Sequence, residues 1–166
     1  HGGEQTMEVR KAVTGIAVDL NVAKITVRGV VDRPGVAAGL LQPLADEGVS
    51  VDVIVQNTSS DGTTDFTFTV GQANVVRAAQ LIENQSVIEY GEVITGSDLA
   101  KVSIVGTGME NAPGYAARMF STLSEAKVNI DMITTSEIRI TTIIGREQVQ
   151  KAVQSLHDAF ELEKSQ

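Results

Sequence analysis

The 166 residues contain no cysteine and no tryptophan, only two histidines and three prolines, and 4% aromatic residues. Without cysteine there are no disulfides and no thiolate chemistry. His1 stands at the chain end and His157 among helical residues, so no second histidine completes a metal site. Serines are numerous, but none has a base near it in sequence. Basic residues are also scarce: 13 Lys and Arg face 21 Asp and Glu, a net charge of −8. Nucleic acid needs a basic face and RNA needs stacking aromatics; the charge is wrong, and Phe66 and Phe68 are too few. No run of about 18 apolar residues exists to span a membrane, and no secretory hydrophobic segment precedes the rest. A soluble cytoplasmic protein is the expectation. Gly106-Thr107-Gly108 lacks the further glycines of a nucleotide loop and there is no Walker lysine, so it reads as a plain turn and no cofactor is expected.

What is present is a repeat. Ala23-Lys24-Ile25-Thr26-Val27-Arg28-Gly29 is followed by Asp32-Arg33-Pro34-Gly35-Val36-Ala37-Ala38. Ala100-Lys101-Val102-Ser103-Ile104-Val105-Gly106 is followed by Asn111-Ala112-Pro113-Gly114-Tyr115-Ala116-Ala117. Each copy then reaches a Val-x-x-Asp strand, Val49 to Ile54 and Val128 to Ile133. The repeat divides the chain into two units of roughly 75 residues. Units that small bury little surface alone, so they are expected to pack on each other or on a partner.

Hydrophobic periodicity places strands at 13–20, 24–29, 49–57, 64–70 and 87–94, with helices at 34–47 and 72–84. Pro34 suits the first turn of a helix and Gly48 its end. Pro43 should kink that helix, and Gly39, four residues earlier, eases the adjustment. The second copy predicts strands at 101–106, 129–136 and 138–144 and helices at 113–126 and 146–160, which leaves it one strand short. Strand 13–20 is the spare one. The fold class is therefore α+β: two ferredoxin-like β-α-β-β-α-β units, the first inserted in the second. Residues 1–11 form a tail or linker, 21–96 the first unit, and 12–20 with 97–162 the second.

Chemistry concentrates at the helix starts. Backbone N–H groups of residues 35–37 sit at the positive end of a helix and suit an amino-acid carboxylate, with Gly35 allowing close approach. Pro113-Gly114-Tyr115-Ala116 repeats this. An α-ammonium would need acceptors, and Asp32, Asp52 and Asp131 are available; equally, Asp32 and Asn111 read as helix-capping or turn residues. Gln56-Asn57-Thr58-Ser59 and Thr134-Thr135-Ser136-Glu137 are rich in groups that either read a ligand side chain or serve the turns. His157 lies beside the stripe Val149, Ala152, Val153, Leu156 and Phe160 and reads as packing.

These stretches, with Gln56-Asn57, Gly62-Thr63-Thr64-Asp65 and Thr135-Ser136-Glu137-Ile138-Arg139-Ile140, resemble the regulatory region of bacterial aspartate kinases, built from two ACT domains. The resemblance covers nearly the whole chain. It implies a non-catalytic part, with the amino-acid kinase domain absent, that binds L-threonine, L-lysine or both and restrains aspartate phosphorylation. It also implies a homodimer through ACT units and a catalytic aspartate kinase subunit or domain as partner. In some members the region is also made as a separate β subunit, and Met7-Glu8-Val9 sits where such a start would fall.

Carried over, one effector site takes Asp32, Pro34, Gly35, Val36, Ala37, Asp52 and Gln56, completed by Asn129 and Ile130 from the paired ACT unit. The second takes Asn111, Ala112, Gly114, Tyr115 and Ala116 with Asp131, Ser136 and Glu137. Gly39 and Pro43 depart from the good helix formers expected there, Val31 from a proline, and Tyr115 from a small aliphatic residue that would leave a wider pocket. The alternatives are an ACT-type sensor of another biosynthetic enzyme, or a small ferredoxin-like catalyst such as a phosphatase. The latter needs a convergent acid/base or nucleophilic set, which this sequence does not offer.

Overall fold

The computed structural model describes residues 13–107 and 114–161. In chain order these form β1 (Val13–Val31), α1 (Val36–Asp46), β2 (Ile54–Thr58), β3 (Thr63–Val70), α2 (Val75–Asn84), β4 (Glu92–Gly106), α3 (Gly114–Glu125), β5 (Ile130–Thr135), β6 (Arg139–Gly145) and α4 (Val149–Phe160). Short 3-10 turns, Gln72–Asn74 and Arg146–Gln148, lead into α2 and α4. The chain divides into two units, Asn21–Leu99 and the residues on either side of it, so one unit is inserted in the sequence of the other. β1 and β4 are each a single long strand with residues in both units, where the periodicity predicted separate short strands.

In the inserted unit the strands lie in the order β2-β3-β1-β4. β3 is antiparallel to both β1 and β2, with Val27 and Gln56 both opposite Phe66. Alternation along β3 buries Thr64, Phe66 and Phe68 and leaves Thr63, Asp65 and Thr67 half-buried on the other face. Ile25 and Val27 of β1, Leu40 and Leu44 of α1, and Ala78 and Ile82 of α2 complete the core against those phenylalanines. The four-residue spacings Leu40/Leu44 and Ala78/Ile82 put each pair on one helix face. In the flanking unit the order is β1-β4-β6-β5. Its core joins Val102 and Ile104 of β4, Met119 and Leu123 of α3, Ile140 and Ile144 of β6, and Ala152 and Leu156 of α4.

Several local features differ from the sequence expectation. Residues 49–53 are not strand: Asp52 N–H and Val53 O both bond the Thr69 backbone while the Val53 N–H donates to the Thr69 hydroxyl at 3.1 Å, so the regular ladder begins only at Ile54. Residues 87–91 are not strand either: the Gln85 side-chain oxygen accepts the N–H groups of Val87 and Ile88 at 3.0 and 2.8 Å and turns the chain first. Gly39 has a packing reason as well, since a Cβ there would stand 2.8 Å from Ile88 Cδ1. Among the described residues no helix is long and apolar enough to cross a membrane.

The repeat is most visible where α1 and α3 end. Gly48 N–H donates to Ala45 O and Val49 N–H to Leu44 O, at 3.0 and 2.9 Å. Lys127 N–H donates to Ser124 O and Val128 N–H to Leu123 O at the same two distances. This is one Schellman cap built twice, each over a buried apolar pair, Leu44/Val49 and Leu123/Val128. The left-handed position holds glycine in one copy (Gly48, φ +76°) and lysine in the other (Lys127, φ +62°). Lys127→Gly should therefore stabilise the chain by about 0.5–1 kcal/mol, and Gly48→Ala should destabilise it by about 1 kcal/mol. Urea unfolding midpoints of the two variants check the opposite signs.

Candidate functional site

The start of α1 is built by glycine rather than proline. Pro34 was expected in the first helical turn, but the helix begins at Val36, and Gly35 is its N-cap residue at φ +91°. That left-handed turn lets Val36 N–H donate to Arg33 O at 3.2 Å, and the first helical bond runs from Gly39 N–H to Gly35 O at 2.9 Å. Of the three expected donors, Val36 is thus already engaged in the turn. No side chain caps the helix, so Asp32 is not its cap; Asp32 N–H instead donates to Gly62 O at 3.0 Å. Orphan donors of an uncapped first turn stay available to water or an anion. A Cβ on Gly35 would meet nothing within 4 Å, so the space beside it is open. Arg33 is held to the side by an exposed ion pair with Glu89 at 3.0 Å.

Strand direction decides what lies near this turn. β1 and β2 both run opposite to β3, so they are parallel to each other, and α1 starts where β1 ends. Asp32 follows the Val31–Thr63 rung, whereas Asp52 N–H donates to Thr69 O. The rungs at Thr63 and Thr69 are about 20 Å apart at the rise of a strand. Asp52 and the Asp32–Ala37 turn therefore lie at opposite ends of their unit. Gln56 stands between them, exposed, and its pairing with Phe66 puts it on the helix-covered side of β2.

The flanking unit repeats the separation. Gly114 is the first residue of α3, and Tyr115 and Ala116 are half-buried against the core; Asn111 and Ala112 lie outside the described residues. Ser136 N–H donates to Arg139 O at 2.8 Å and Gly106 N–H to Ile138 O at 2.8 Å, which sets the Ser136–Glu137 turn at the end of β4 that leads on to α3. Asn129, Ile130 and Asp131 are at the far end of β5, with Asn129 N–H on the Gln148 side chain at 3.2 Å. The span from Ile130 to Ser136 is again about 20 Å. Asp131 and the Ser136–Glu137 turn are not brought together within this unit.

Sequence reasoning passed over a cleft of about 520 Å³ lined by Arg28, Gly29, Ser59, Asp61, Thr63, Asp65, Gly91 and Glu92. Its signal was Gly29, which takes φ +69° at a break in the β1–β3 register and donates its N–H to Asp65 Oδ1 at 2.9 Å. Gly91 N–H donates to Arg28 O at 2.8 Å, and Arg28 pairs with Glu92 at 3.5 Å. The Thr63 hydroxyl and then the Thr63 N–H hold the exposed Asp61 carboxyl below the usual carboxylate range. The polar groups of this cleft are thus engaged in shaping the β1 bulge and the β2–β3 turn. On β4, burial lowers the Lys101 ammonium pKa, opposed by the charge of Asp19 and reinforced by Arg139. His157 sits half-buried on α4, its Nδ1 without a hydrogen-bond partner among the described residues. Among those residues no group of three His, Cys, Asp or Glu side chains could hold a metal.

Because the α1 turn depends on a left-handed residue rather than on missing side-chain volume, Gly35→Ala should destabilise the chain by about 1–2 kcal/mol. A thermal-melt comparison with Gly114→Ala at the helical start of α3, which should stabilise or be neutral, separates strain from a general effect of filling a helix start.

Residues 23–86 and 102–160 each match a model of the ACT domain. Aspartate kinase of Pseudomonas fluorescens is 46% identical over 162 residues, which cover 96% of this chain. The chain spans 39% of that relative's length. The crystal structure of the ligand-free regulatory subunit of aspartate kinase from Thermus thermophilus matches with a TM-score of 0.84 at 40% identity, over 90% of this chain and 99% of that one. A structure of aspartokinase alpha and beta subunits matches with a TM-score of 0.83 at 44% identity, over 91% and 100% of the two chains. Two ACT units, one inserted in the other, with this likeness over the whole of a regulatory subunit, make these residues a member of the aspartate kinase family, corresponding to its regulatory part.

Proposed function

We propose that this chain binds end-product amino acids, threonine, lysine or both, between paired ACT units, and through that pairing mediates feedback inhibition of aspartate phosphorylation in the cytoplasm by a catalytic aspartate kinase subunit or domain. The observation that carries this reading is the 20 Å separation within each unit. A free amino acid is far shorter than that. One ligand can use both the helix-start donors and a Val-x-x-Asp carboxylate only if a second unit contributes one of them.

The edges of the sheets support such pairing. β2 and β5 end the strand order, and neither carries the lysine or proline that commonly blunts an edge. Ile54 and Ile133 occupy equivalent places on them and are 48% and 43% exposed. An unpaired backbone edge with an exposed isoleucine fits side-by-side assembly of a homodimer. In this reading the ligand carboxylate meets the donors of Gly35 and Ala37 in one unit, and its ammonium meets the Asp52 carboxylate of a second copy, with Gln56 nearby. Asn129 and Ile130 complete that site from the paired unit. The second site uses Asn111, Ala112 and Gly114 to Ala116 with Ser136 and Glu137, and Asp131 comes from a second copy.

Inhibition follows when the inactive enzyme presents the pairing that the ligand favours; couplings of this kind are about 1–3 kcal/mol. Titration calorimetry should show heat with threonine, and Asp52→Ala or Gln56→Ala should weaken binding about tenfold or more. No heat with threonine or lysine at millimolar concentration would sink the proposal.

A further inference from the structure

The middle of β4 contains a residue that an extended strand does not favour. Asp98 has φ +59°, a left-handed conformation uncommon for any residue but glycine, within the 15-residue strand Glu92–Gly106. The Gln72 side chain bonds it there. Asp98 N–H donates to the Gln72 carboxamide oxygen at 3.0 Å, and the Gln72 amide nitrogen donates to Asp98 Oδ1 at 3.4 Å. The same residue holds the other long strand, because Gln72 N–H donates to Asn21 Oδ1 at 2.8 Å. Gly71 leaves the room this needs: a Cβ there would stand 3.3 Å from Asn21 Nδ2.

The positions of the two strand residues are informative. Asn21 is the first residue of the inserted unit and Asp98 the last but one, so they mark where the chain enters and leaves it. The repeat provides an internal control. Gly145 caps the second 3-10 turn with φ −64° and ψ 139°, against −63° and 142° at Gly71, yet Arg146 stands where Gln72 does in the first copy. The fold therefore builds this turn without a carboxamide at its first position. Gln72 is specific to the unit that the chain both enters and leaves.

We propose that Gln72 is a positioning residue in a conformational device: it ties the start of α2 to both chain crossings of the inserted unit, so that these three points move as one element. A displacement of the α2 start is then passed to β1 and β4, and an event in that unit has a route along the chain out of it.

Gln72→Met keeps the size and helix preference of the side chain while removing both carboxamide bonds. Amide hydrogen exchange of the whole chain should show Asp98 exchanging about tenfold faster in this variant, with Ile25 and Phe68 amides unchanged. Asp98→Gly should restore the unfolding midpoint lost in Gln72→Met, while having little effect on its own. Unchanged exchange at Asp98, or an equal acceleration at every amide, would overturn the proposal. A second arm rests on the regulatory reading: reconstituted with a catalytic aspartate kinase subunit, Gln72→Met should raise the threonine concentration for half-inhibition about fivefold, while the isolated chain binds threonine with unchanged affinity. Unaltered inhibition in the variant counts against the device. An uninhibited wild-type complex counts against the regulatory reading instead, and the exchange arm then decides the device alone.

Discussion

A helix that crosses between two parallel strands starts at their carboxyl ends and finishes at their amino ends. Everything else about the candidate sites depends on this constraint. In the inserted unit it fixes the Gly35 turn at one end of β1 and β2 and Asp52 at the other, because β3 is antiparallel to both. In the flanking unit it sets Gly114 and the Ser136–Glu137 turn at one end and Asp131 at the other. No rotamer choice closes a gap of about 20 Å along a strand. A unit of this fold therefore keeps the two halves of the proposed amino-acid site apart.

The local energetics fit a scaffold whose ends are left available. Gly48 and Lys127 close the carboxyl ends of α1 and α3 with the same pair of backbone bonds, each over a buried apolar contact. The amino end of α1, by contrast, has no side-chain cap. A side-chain N-cap typically contributes about 1 kcal/mol, so its absence beside a left-handed glycine with open space around it is consistent with a place kept for a ligand. The cleft around Gly29 and Gly91 is the opposite case. There Asp65, Asp61, Arg28 and Glu92 already have partners within the protein.

Most of the architecture was legible because the duplication aligns two copies of every element, and counting them showed one strand supplied from before the insertion. The positions at fault are those where a side chain intervenes in the backbone ladder. Thr69 displaces the start of β2 and Gln85 delays β4, and neither polar contact has a periodicity to betray it. The merging of 13–20 with 24–29 into β1 was hidden by Val22 and Ala23, two buried apolar residues in succession that shift the alternation from even to odd positions close to where the strand passes between units. At the candidate site, the sequence names candidate residues and carries no sign of the distance between them. Asp52 and Asp32 belong to one motif set in sequence, but strand direction alone puts them at opposite ends. Pro34 shows the same limit, since a Pro-Gly pair near a helix start leaves open where the helix begins, and here it begins after both, at Val36.

The central claim is that a complete effector site needs two ACT units. Its most direct test is threonine calorimetry on a chain carrying Ile54→Lys and Ile133→Lys, whose sheet edges can no longer pair while Asp32 to Ala37, Asp52 and Gln56 stay intact. If sites are shared between units, this chain sediments as a monomer and gives no threonine heat at millimolar concentration, although its melting curve stays cooperative. A monomeric variant that binds threonine with the affinity of the unaltered chain would contradict the account.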